Sequence, residues 1–128
     1  EKRMSMKKIS WEYMEGVPAL LNLVDMMEAA ISEVMPTAER RRSGGWHWRG
    51  YYLPYNYWFG VRYHEPLLVL FEDNRGYDPV TYRRDLDLGK EHFFSLNKDE
   101  QFELLVTFLK RAWEDAPADV STSDVGSE

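Results

Sequence analysis

Between residues 20 and 34 the apolar side chains Leu20, Leu21, Val24, Met27, Ile31 and Val34 recur at steps of three and four, while Asp25, Glu28 and Ser32 fall off the stripe. That spacing is one face of an amphipathic helix. It predicts a helical region from Ile9 to Met35. Ser10 caps a short first piece carrying Trp11 and Met14, and Gly16-Val17-Pro18 interrupts it. Pro18 suits the first turn of the continuing helix, and Pro36 stops it. Thr37 to Gly45 reads as a basic linker loop.

The period then changes. Trp46–Leu53, Tyr57–Tyr63 and Leu67–Glu72 read as strands rich in aromatic residues, with Leu53-Pro54-Tyr55-Asn56 as a turn and Glu65-Pro66 closing the second run. Short connections imply antiparallel neighbours. Asp73 to Pro79 is dense in turn formers. Arg84–Leu88 alternates Leu86 and Leu88 against Asp85 and Asp87, the pattern of a short edge strand ended by Gly89. In the last helix Asn97 serves as N-cap and Glu100 completes a capping box. Phe102, Leu105, Val106, Leu109 and Trp113 form its stripe, and Pro117 follows it. The expected fold is α+β: an antiparallel meander of three or four strands, with an N-terminal and a C-terminal helix packed on its apolar face. Residues 1–117 form one domain. Residues 118–128 are small, polar and acidic, a flexible tail.

Composition narrows the chemistry. The chain has 128 residues, 44% of them hydrophobic, enough for one core and too few for two. It has no cysteine, which removes thiol catalysis, disulfides and thiolate metal sites and fits a cytoplasmic location. No apolar run approaches the roughly 20 residues of a membrane span, so no membrane partner is expected. The start at Glu1-Lys2-Arg3 reads as an excised domain or fragment, with Met4 or Met6 as alternative native starts.

Net charge is −6, unevenly spread. From Arg40 to His64 there are five arginines and no acid, together with nine of the nineteen aromatics. On the first strand Trp46, Trp48 and Tyr52 share one side, and His47, Arg49, Tyr51 and Leu53 the other. On the second, Tyr57, Phe59, Val61 and Tyr63 share one side, and Trp58, Arg62 and His64 the other, with Gly60 leaving a gap. Pairing the two apolar sets predicts an opposite face made of His47, Arg49, Tyr51, Trp58, Arg62 and His64. Guanidinium groups beside flat rings suit an anionic or planar ligand. The competing reading is a wet sheet surface whose arginines shield aromatic rings from water.

Other chemistries find less support. Arg40-Arg41-Arg42 could touch phosphate, though such a run is more often a solvated linker, so nucleic acid ranks below a protein partner. His47 and His64 lack a clear third metal ligand beyond Glu65 or Glu72. Asp85 and Asp87, with Glu72 or Glu91, could seat a divalent ion, or could simply keep an edge strand from aggregating. No Gly-x-Ser-x-Gly elbow or phosphate loop is present. The helix–meander–helix order, with carboxylates at strand ends, resembles in topology the small nucleases of the PD-(D/E)XK superfamily. That resemblance implies an Asp on one strand and an acid-x-Lys on the next holding magnesium. Here Asp87-Leu88-Gly89-Lys90 has another spacing and no acid-x-Lys follows Glu72, so it implies at most a degenerate relative.

The expected function is a non-enzymatic interaction module. It binds a protein or anionic partner, or the remainder of a larger chain, through the aromatic–arginine hairpin, with no cofactor. The alternatives are a metal-dependent or degenerate nuclease-type domain and a homo-oligomer assembled through exposed aromatics.

Overall fold

The computed structural model describes residues 18–45, 47–63, 66–73 and 82–117. Helix α1 (Pro18–Val34) leads into strands β1 (Arg41–Gly44), β2 (Trp48–Leu53), β3 (Tyr57–Arg62), β4 (Leu68–Asp73) and β5 (Arg83–Asp87), and helix α2 (Lys98–Asp115) ends the described chain. The strands form one antiparallel sheet in sequence order, β1-β2-β3-β4-β5. The class is α+β, as the sequence implies, but the sheet has five strands where three or four are expected.

The extra strand is β1, which replaces part of the expected linker loop. Its residues, Arg-Arg-Ser-Gly, carry no strand propensity of their own. They are held from outside. Arg41 lies 4.9 Å from the centroid of the Tyr52 ring. Arg42 donates a 3.0 Å hydrogen bond to the Tyr51 hydroxyl and lies 3.6 Å from Asp25 and 3.8 Å from Glu28 of α1. Arg40, just before the strand, donates to Ser32 Oγ at 2.7 Å. The basic run is therefore fastened to α1 and β2.

Both helices contribute to one core with the sheet. From α1 come Leu23, Val24, Met27, Ala30 and Ile31, and from α2 Leu105, Leu109 and Ala112. They meet Tyr51, Leu53, Tyr57, Phe59, Val61, Tyr63, Val69 and Phe71, alternate residues of β2, β3 and β4 and the residue just after β3. The capping box forms as expected: Asn97 Oδ1 accepts from the Glu100 N–H at 2.8 Å, and Glu100 Oε1 accepts from the Asn97 N–H at 3.1 Å. Phe102, expected on the inner stripe, is only partly buried. The helical turns expected around Ser10, Trp11 and Met14, and the tail, lie outside the described residues. Among the described residues no helix is long and apolar enough to cross a membrane.

Candidate functional site

The turn between β2 and β3 decides which side chains share a face. Pro54–Asn56 form a three-residue connection in which Tyr55 and Asn56 both have φ of 65°. It sets Leu53 opposite Tyr57, and the register follows: Tyr51 opposite Phe59, Gly50 opposite Gly60, Trp48 opposite Arg62. Residues directly opposite one another project to the same side.

This register divides the residues expected on one binding face. Tyr51 is only 1% exposed and belongs to the core. Its hydroxyl donates to the Val24 carbonyl at 3.2 Å while accepting from Arg42. Arg49 is opposite Val61 and lines a separate recess with Arg42, Ser43 and Gly44. Trp58 and Arg62 project from the other side of the sheet, together with Trp48 and Tyr52, which were expected on the opposite face. His47 precedes β2 and reaches that same side. His64 lies outside the described residues.

On this second side Trp58, Leu68 and Leu70 form a small buried cluster flanked by Trp48 and Tyr52, which no residue of either described helix joins. The glycine pair makes it possible. A Cβ at Gly60 would run into the Trp58 indole and come within 2.6 Å of the Arg49 carbonyl oxygen. A Cβ at Gly50 would strike the backbone of Phe59 and Gly60 and approach Trp58 Cζ2 to 2.9 Å. The Trp58 ring thus lies across bare backbone, with Trp48 edge-on to it at 5.4 Å between centroids and an interplanar angle of 86°.

Beside this cluster opens a cleft of about 440 Å³. Its walls are His47, Trp48, Tyr52 and Trp58, with Arg62 on β3 and Leu70 and Glu72 on β4. Two of these residues carry buried donors that are unpaired among the described residues, Trp58 Nε1–H and Arg62 Nε–H. A buried donor left without an acceptor costs about 1–3 kcal/mol. Glu72 stands opposite Trp58 and is partly buried. Burial pushes its carboxyl above the usual pKa, against the pull of Arg83 and Arg62, and Asp73 and Asp85 push it further in the same direction.

The other candidates are committed elsewhere. Asp85 pairs with Arg83 at 3.2 Å, and Asp87 Oδ1 accepts from the Gly89 and Lys90 N–H groups at 3.0 and 3.1 Å, closing the turn after β5. Among the described residues no three His, Asp or Glu side chains are grouped to hold a metal ion. A wider recess of about 700 Å³ runs along residues 37–41 beside Tyr52, Leu53, Pro54 and Asn56, but the unpaired buried donors are not in it.

Trp48, Tyr52, Leu70 and Glu72 are the cleft residues that the sequence reading leaves out. The signal available for them is glycine. Gly50 and Gly60 are the only small residues in two aromatic strands, and the bulky Trp58 requires them side by side under its ring. The class defined by these features is an α+β domain with a five-stranded meander, a double-helix core on one face and an aromatic, Arg/Glu-lined cleft on the other. Comparison with protein-family models, with curated proteins and with solved structures finds no match for this chain.

Proposed function

We propose that this domain is a non-enzymatic interaction module that takes an anionic group of its partner into the cleft between β2, β3 and β4. The observation that carries this reading is the pair of buried, unpaired donors on Trp58 and Arg62. Both nitrogens are buried, so an incoming acceptor reaches them as the surrounding side chains shift. Once there, it supplies hydrogen bonds that these donors lack among the described residues, in a setting of low dielectric where they are strong. Arg62 supplies the charge, and the partly exposed rings of Trp48 and Tyr52 supply a flat surface for the body of the ligand.

Isothermal titration with benzoate and with phenyl phosphate at low salt tests this. The wild type should bind a probe saturably, less well as salt rises. Arg62→Met should weaken it about tenfold or more, the worth of a charge-assisted hydrogen bond, with the circular dichroism spectrum unchanged. No saturable binding of either probe, or equal affinity in the variant, overturns the reading.

A further inference from the structure

The cleft is basic at one end and acidic at the other. Arg62 stands opposite Leu68, and Glu72 stands opposite Trp58, so the two charges are offset by four positions along the β3–β4 ladder. At roughly 3.4 Å per residue their Cα atoms lie about 14 Å apart along the strands. The position between them is filled by Gly60 opposite Leu70, with the Trp58 indole lying across the glycine. The ion pairs of the described residues leave the two unjoined, and Arg83, directly opposite Glu72, pairs with Asp85 instead. Glu72 is thus a partly buried carboxylate for which no hydrogen-bond donor is found among the described residues.

We propose that the ligand of this cleft is dipolar: an oxyanion at the Arg62 end, an ammonium or N–H donor at the Glu72 end, and a flat apolar body between them. The inference rests on the reading above for its anionic end. Each end of such a ligand supplies what is missing there among the described residues, an acceptor for Arg62 and a donor for Glu72. The middle offers Leu70 and the Trp58 indole, which favours a ring over a charged or flexible chain. A volume of about 440 Å³ falls within the range of small-molecule sites and holds one ring with a substituent at each end. The chemical class is an aromatic or cyclic amino-acid-like molecule, free or presented by a partner. The raised pKa of Glu72 fits this, because a cation placed beside it would stabilise the carboxylate that burial disfavours.

The test compares four probes by titration on the intact chain: benzoate, benzylamine, 4-(aminomethyl)benzoate and the longer 4-(aminomethyl)phenylacetate. One of the two dipolar probes should bind about tenfold more tightly than benzoate. Glu72→Gln should abolish that gain and leave benzoate affinity within about twofold. Arg62→Met should weaken benzoate and the dipolar probes alike. Benzoate binding with no gain from either dipolar probe, or a gain that survives Glu72→Gln, overturns the dipolar ligand and leaves the anionic cleft standing. Benzylamine binding as well as the dipolar probes, with benzoate inert, overturns both.

Discussion

On the side of the sheet facing the helices, polar groups are tied off. The Tyr51 hydroxyl spans Arg42 and the Val24 carbonyl, and the Tyr82 hydroxyl donates to the Ala112 carbonyl at 2.8 Å. On the other side, one residue along in the same strands, Trp58 and Arg62 bury donors with no acceptor among the described residues. Both sides use large aromatic residues and arginine. The difference is in how they are completed: the first closes on the protein's own helices, the second leaves the Trp58 and Arg62 donors without an acceptor among the described residues. A face that carries an uncompensated cost of burial is where a protein has something to gain from a ligand.

Substitutions should separate the two sides, and the largest effect belongs to the closed one. Leu109 on α2 is fully buried in the core. Leu109→Ala should cost about 2–5 kcal/mol in urea unfolding. A loss below about 0.5 kcal/mol would place it on the surface. Next comes the glycine pair. Gly60→Ala forces a methyl group against the Trp58 ring and the Arg49 carbonyl oxygen, which is backbone and cannot step aside. About 1–3 kcal/mol should be lost, with weakened probe binding because the ring is displaced. A neutral Gly60→Ala would mean that Trp58 does not lie across the glycines.

Leu109 was legible in the sequence, and so was the whole of α2. Its stripe has helical period and its capping box is local, so no distant contact is needed to see either one. The hairpin and β5 were legible for similar reasons, through turn formers and alternation. Strand β1 was not. Arg41, Arg42, Ser43 and Gly44 become a strand only because Tyr51, Tyr52, Asp25 and Glu28 hold the arginines from elsewhere in the chain. The candidate site was half legible. The alternation within β2 and within β3 is plain in the sequence, but which side of one matches which side of the other depends on register. Coincidence of the apolar sets would group Trp48 and Tyr52 with Phe59. The three-residue turn instead places Tyr51 opposite Phe59, which sends Tyr51 to the core and brings Trp48 and Tyr52 to Trp58 and Arg62. Glu72 is on β4 and is visible as a cleft residue only through pairing with Trp58.

Smaller effects probe the open side. Arg62→Met removes a buried donor that has no acceptor among the described residues and keeps most of the side chain's bulk. Thermal stability should hold within about 0.5 kcal/mol or rise, while anion binding is lost. A marked fall in melting temperature with binding intact would make Arg62 a structural cover for the indoles. Glu72→Gln should give the smallest change and the clearest pH signature. The folded pKa of Glu72 is raised, so its contribution to stability is fully present below the unfolded value of about 4.3 and is lost as pH rises through the folded value. The Gln variant should therefore be slightly more stable than wild type at pH 7, with the advantage vanishing toward pH 4. A variant less stable at pH 7 would show that the attraction of Arg62 and Arg83 outweighs burial.

The most direct measurement follows the Trp58 indole N–H by ¹H–¹⁵N NMR, with its cross-peak assigned by its disappearance in Trp58→Phe. In the free protein the proton should resonate upfield, as an indole without an acceptor does, and saturation with benzoate should move it downfield while the peaks of the other indoles stay largely in place. A Trp58 proton already hydrogen-bonded in the free protein, or one that stays fixed while benzoate binds, would contradict the account.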